Sequence, residues 1–167
     1  MIYLQILLLV ILSLLLISFF LRNKYFIIAN ESLIINKNDT EVFHFLLDTK
    51  NIIKISPSVG NFSLFENEKF KEKDQYTRVF YSHGIPNKQT VIIEKVTENE
   101  TIITKTSLIG HQVEYKHLLN KIDDCKTKIT VIKSIKGWSV LSLLTKHLLL
   151  KEEHEACYIS NIKKHLE

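Results

Sequence analysis

The chain carries seven histidines, and their spacing decides whether any of them can hold a metal. His44, His83, His111 and His117 fall in separate predicted elements, and none stands at HxxxH or HExxH spacing. His147, His154 and His165 share one side of a predicted C-terminal helix, within about 20° of one another and of Tyr158 on a helical wheel. His147 and His154 are about 10 Å apart by helical rise, too far to ligate one ion. They read as a polar stripe beside a buried face. Cys125 and Cys157 have no CxxC partner, so they read as plain thiols in a reducing compartment. No metal and no cofactor is expected. The chain also lacks a GxSxG elbow and a phosphate-binding glycine loop, and no residue is assigned as catalytic.

Tyr115, His117 and Glu155 are better placed for chemistry. Across Gln112–Asn120, Val113, Tyr115, His117 and Leu119 alternate with Gln112, Glu114 and Lys116. A strand with that alternation turns the first set inward. Tyr115 and His117 then either hydrogen-bond the polar head of a ligand or stand as satisfied core residues. Glu155 lies near the middle of an apolar helical face, between Leu148 and Ile162. A buried carboxylate needs a partner or a raised pKa. The alternative is that the helix leaves the sheet at Lys151–Glu155, where the run KEEHE interrupts the apolar pattern.

The elements that must position these residues follow from periodicity. Phe26–Asn36 is β-branched and apolar and reads as the first strand. Asp39 or Thr40 can cap a short helix that buries Val42, Phe43, Leu46 and Leu47. Asp48-Thr49 restarts a helical turn carrying Ile52, Ile53 and Ile55, and Ser56-Pro57 stops it, because a residue before proline disfavours the α region. The period then becomes two. Strands are predicted at Asn61–Glu66, Tyr76–His83, Gln89–Thr97, Thr101–Ile109, Gln112–Asn120 and Lys128–Ile135, with Asn67–Gln75 as a charged loop. Trp138–Leu166 reads as one long helix, with Val140, Leu144, Leu148, Ile159, Ile162 and Leu166 on a single apolar face.

Composition bounds the function. Net charge is +4, and the lysines are interspersed with acids rather than gathered in one run, so no nucleic-acid partner is expected. Met1–Leu21 contains no charged side chain, and about 20 apolar residues suffice to cross a bilayer. It lacks the basic start and small-residue cleavage site of a secretory signal, so it reads as a transmembrane anchor over 1–21. Arg22 and Lys24 form a basic juxtamembrane flank over 22–25. By the positive-inside rule they place the remaining domain, 26–167, on the cytoplasmic side of a single-pass membrane protein. Sequons at Asn30, Asn38, Asn61 and Asn99 would be glycosylation acceptors only if the domain faced a secretory lumen. Nothing bears on oligomeric state.

The order strand, two short helices, six strands, long helix resembles the helix-grip fold of the START/Bet v 1-like superfamily, also called SRPBCC or polyketide cyclase/dehydrase-like. The local residues that carry the resemblance are Glu41-Val42-Phe43-His44-Phe45-Leu46-Leu47-Asp48, then Asn51, then Ser56-Pro57-Ser58-Val59, and the final Leu166-Glu167. The resemblance implies an α+β fold with a curved seven-stranded antiparallel sheet and an apolar cavity beneath the long helix. It implies an apolar small molecule or lipid as partner. The residues expected to line that cavity are Phe80, Val113, Tyr115, His117, Leu144, Leu148, Glu155 and Ile159, with Tyr76 adding aromatic wall. The expected function is binding or transfer of a lipid, isoprenoid or sterol-like molecule by a membrane-tethered domain. Two rivals stand beside it. One is a cyclase- or dehydratase-type enzyme using Glu155, Tyr115 or His117. The other is a scaffold that binds no small molecule.

Overall fold

The computed structural model describes residues 2–21, 25–55, 59–62, 69–82, 85–108, 111–136 and 154–167. In chain order the elements are α1 (Ile2–Leu21), β1 (Tyr25–Ile35), α2 (Asp39–Leu47), α3 (Thr49–Ile55), β2 (Val59–Phe62), β3 (Gln75–Ser82), β4 (Ile85–Thr97), β5 (Thr101–Leu108), β6 (His111–Asp123), β7 (Lys126–Lys136) and α4 (His154–Leu166). The strands form one antiparallel sheet in the order β1-β7-β6-β5-β4-β3-β2. Six of them pair over long ladders, whereas the four-residue β2 meets β3 at Val59↔Phe80 and Phe62↔Arg78 alone.

This order explains the two helices. β1 and β2 are close in sequence but lie at opposite edges of the sheet. The chain must therefore travel from one edge to the other between Ile35 and Val59, and α2 and α3 occupy that passage. Their apolar residues, Val42, Phe43, Leu46, Leu47, Ile52 and Ile55, are buried with Ile35, Ile93, Ile102, Leu119 and Ile129 of the sheet and Ile159 and Ile162 of α4. Each such side chain contributes roughly 1.5–3 kcal/mol on leaving water. The assembly is α+β, an antiparallel sheet with its C-terminal helix packed on the same core. The described turns of α4 lie against β1 and α3.

The start of α2 differs from expectation. Asn38, not Asp39 or Thr40, is the N-cap, with extended backbone. Its Oδ1 accepts from the Glu41 N–H at 2.7 Å, and its Nδ2 donates to Glu41 Oε1 at 2.8 Å. The cap thus satisfies an otherwise orphaned helix donor and also fixes the Glu41 carboxylate in the first turn. The restart at Asp48 is as read: its Oδ1 accepts from the Lys50 N–H at 2.8 Å. Ser56-Pro57 lies outside the described residues, and α3 ends at Ile55.

The hairpins also have local causes. Asn99, at φ 55°, closes the β4–β5 connection in the left-handed region that asparagine tolerates better than most residues. Asp123 Oδ1 accepts from the Cys125 N–H at 2.8 Å, which tightens the β6–β7 turn and lets both strands extend further than their apolar runs suggested.

The expected membrane anchor is corrected. Residues 2–21 do form a helix, but among the described residues no helix is long and apolar enough to cross a membrane. The single-pass assignment falls, and with it the cytoplasmic placement that Arg22 and Lys24 supported. Both of those residues lie outside the described ones.

Candidate ligand-binding face

The sheet's inner face can be read row by row from its register. Ile129 pairs with Leu119 and with Leu33, an apolar row beneath the helices. The next row is Val131, His117 and Ile102. The third is Ala29, Lys133, Tyr115, Thr104 and Ile93. The fourth is Ile135, Val113, Thr106, Val91 and Tyr76. Directly opposed residues in such rows have Cβ atoms about 4.5–5.5 Å apart, so each row is a set of touching neighbours.

Polar side chains concentrate in the third row. Lys133 is only 4% exposed. Its Nζ lies 5.6 Å from the centroid of the Tyr115 ring, a cation–π distance. Thr104 stands directly across from Tyr115 and is half-buried. In the fourth row Thr106 is buried, and its hydroxyl donates to the Thr90 carbonyl at 2.9 Å, so it is already engaged with the backbone. Gln89, one step further along β4, is also buried.

His117 joins the sheet to the C-terminal helix. Its Nε2 lies 2.9 Å from Tyr158 Oη. Burial pushes the imidazole pKa down to about 4, an effect the facing Ile102 backbone offsets only in part. The ring is therefore neutral at pH 7. Among the described residues, Nδ1 has no well-aligned hydrogen-bond partner, and it is shielded from solvent. A buried ring nitrogen with no partner is costly to keep, on the order of 1–3 kcal/mol.

The expected cavity-lining residues are distributed as follows. Val113 is fully buried with Ile135 in a small cluster to which Ile28 and Tyr115 add their sides. Tyr115 is half-buried and His117 is 6% exposed, both on the inner face. Ile159 is buried in the main core. Phe80 stands on β3 opposite Val59 and Asn87, and Glu155 stands on α4, but their side chains lie outside the described ones. Leu144 and Leu148 lie outside the described residues. Tyr76 is buried, its ring 4.9 Å from that of Phe70.

Lys133 was missed. In β7 the inward positions are Thr127, Ile129, Val131, Lys133 and Ile135, so a lysine in step with an apolar series was the available signal. No group of three or more His, Cys, Asp or Glu side chains that could hold a metal occurs among the described residues.

No family model and no curated protein matches the sequence. Solved structures do match its fold. The aromatase/cyclase ZhuI from Streptomyces sp. R1128 superposes with a TM-score of 0.68 at 9% identity, covering 86% of this chain and 94% of its own. Ara h 8.0201 gives 0.65 at 14% identity, covering 86% and 98%. A START superfamily protein from Mycobacterium smegmatis gives 0.61 at 12% identity, covering 83% and 98%. Sequences this far apart share architecture and little else, so the likeness establishes for this chain the helix-grip fold of START-type and aromatase/cyclase structures.

Proposed function

We propose that the chain binds a hydrophobic small molecule, of lipid, isoprenoid or sterol-like size, between the inner face of the sheet and the C-terminal helix. One observation carries the reading. Lys133, Tyr115 and Thr104 form a run of polar side chains on the inner face, between a row of Val131, His117 and Ile102 and a mainly apolar row of Ile135, Val113, Thr106, Val91 and Tyr76. A core serving stability alone gains little from a buried ammonium, since apolar residues of similar volume are often as stable or more so. A binding site has a use for such a row, because a few placed polar groups in an apolar enclosure orient a ligand. The likeness to an aromatase/cyclase and to a START superfamily protein agrees with this reading.

The test is native mass spectrometry of the purified chain, together with titration by a fluorescent hydrophobic probe such as cis-parinaric acid. Saturable binding at one site, displaced by the molecule that co-purifies, is the expected result. No co-purifying molecule and no saturable probe binding would overturn the reading in favour of a scaffold.

A further inference from the structure

We infer that α4 is a hinged lid over the inner face of the sheet. It pivots about its C-terminal end, and the hydrogen bond between Tyr158 and His117 is the catch that opens to let a ligand pass. This rests on the hydrophobic-ligand reading above and names how that site opens.

The C-terminal end of α4 is held in several ways. Ile162 is fully buried in the main core with Val42, Ile55 and Ile129, and Leu166 packs against the same cluster. Asn161 Nδ2 donates to the Ile55 carbonyl at 3.5 Å. Glu167 Oε1 accepts from the Asn36 N–H, just beyond β1, at 2.7 Å. The Glu167 N–H donates to the Lys163 carbonyl at 2.9 Å, and Lys163 Nζ lies 3.7 Å from Glu167 Oε2. This end is thus fixed against α3 on one side and β1 on the other. Lifting it would return Ile162 to water and leave a void in the main core, a costly loss.

One turn earlier the attachment is lighter. Tyr158 is half-buried, with the side of its ring on the core, and its Oη lies 2.9 Å from His117 Nε2. Its neighbour Ile159 is 8% exposed, against 0% for Ile162. His117 belongs to the row of Val131 and Ile102, beside the row of Lys133, Tyr115 and Thr104 proposed to orient a ligand. The bond therefore stands at the edge of the proposed site. A single neutral hydrogen bond shifts an equilibrium by about two- to tenfold. That biases α4 towards the closed position and still lets it open within the microsecond-to-millisecond range of lid motions. Hinged elements turn on a few residues at one end while the rest moves as a body, and the grading from Ile162 to Tyr158 puts the fixed end of α4 at Ile162.

The experiment measures stopped-flow binding of cis-parinaric acid and, in the unliganded chain, relaxation dispersion of the isoleucine methyl groups. Tyr158→Phe should speed association and dissociation together, by about two- to tenfold, with little change in Kd, because the catch is closed in the free and the bound states alike. Asn161→Ala, at the pivot, should leave both rates unchanged. Methyl exchange of Ile159 should rise in Tyr158→Phe, and that of Ile162 should not. His117→Leu breaks the same bond from the sheet side and decides the matter if Tyr158→Phe does not fold by circular dichroism. Unchanged rates in a folded variant overturn the catch and leave hydrophobic binding standing. Faster dissociation alone, with a weaker Kd, overturns it too and makes Tyr158 a ligand contact. Equal exchange at Ile159 and Ile162 overturns the pivot. No binding of the probe by the unaltered chain overturns the ligand reading and the lid with it.

Discussion

Nε2 of His117, on the interior strand β6, lies 2.9 Å from the hydroxyl of Tyr158 on α4. The two residues are 41 positions apart in sequence, and their rings sit with centroids 5.8 Å apart. The contact ties the described part of the C-terminal helix to an interior strand of the sheet. It does so at the boundary between the apolar row of Ile129 and Leu119 and the polar row of Lys133 and Tyr115. Because burial holds the imidazole neutral, the link is a neutral hydrogen bond and tolerates salt.

The first prediction is a pH dependence of stability. The folded pKa of His117 is about 4, below its ordinary 6.5. Between those values the unfolded chain binds a proton that the folded chain refuses, so stability falls as pH drops through this window and the loss levels off below about 4. The span corresponds to roughly 3 kcal/mol for this buried group. Urea titrations from pH 7.5 to 4 should show it, and His117→Gln should flatten the curve. An unchanged slope in that variant would assign the effect to other groups.

The second concerns the pair itself. Tyr158→Phe should cost about 1–3 kcal/mol, because it leaves the buried Nε2 without its partner. Adding His117→Leu should recover part of that loss, since removing both partners leaves no orphan. A double-mutant cycle measures this. Strictly additive costs would mean that the two residues do not interact in solution.

How much of this was legible in the sequence varies with the physics behind each signal. The strands were readable because burial on one face forces a period of two, and Val113, His117 and Leu119 are buried as that period requires. Lys133 was not read, because scattered lysines default to a solvated surface. Only its phase with Ile129, Val131 and Ile135 marks it, and a single charged residue in a phase is a small signal. The cap was misplaced among Asn38, Asp39 and Thr40, which are all competent. The Glu three residues after Asn38 was the discriminating cue, since the cap and that carboxylate bond reciprocally. The anchor was inferred from apolar composition alone, and among the described residues no helix is long and apolar enough to cross a membrane.

The third prediction tests that cap. Asn38→Ala should cost about 1 kcal/mol by loss of the bond to the Glu41 N–H, whereas Asn38→Ser, which keeps a cap acceptor without setting a second carboxylate against Glu41, should cost a few tenths or less. Because α2 is only nine residues long, it depends more on its ends and its buried face than on propensity. Hydrogen exchange should show faster opening at Glu41 and Val42 in the alanine variant. Equal exchange in both variants would move the cap elsewhere.

The fourth places α4 in the core. Ile162 is fully buried, in one cluster with Val42, Ile55, Ile35 and Ile129. Asn161 beside it donates from Nδ2 to the Ile55 carbonyl at 3.5 Å, so the helix is registered against α3 by a weak polar contact and a strong apolar one. Ile162→Ala should therefore cost about 2–5 kcal/mol and Ile162→Val about 0.5–1.5 kcal/mol. Asn161→Ala should cost well under 1 kcal/mol, because a 3.5 Å contact is at the limit of hydrogen bonding. Thermal and urea denaturation of the three variants would rank them. If Ile162→Ala cost no more than Asn161→Ala, the C-terminal helix would be only loosely applied to the sheet, and the enclosure proposed for a ligand would lose one of its walls.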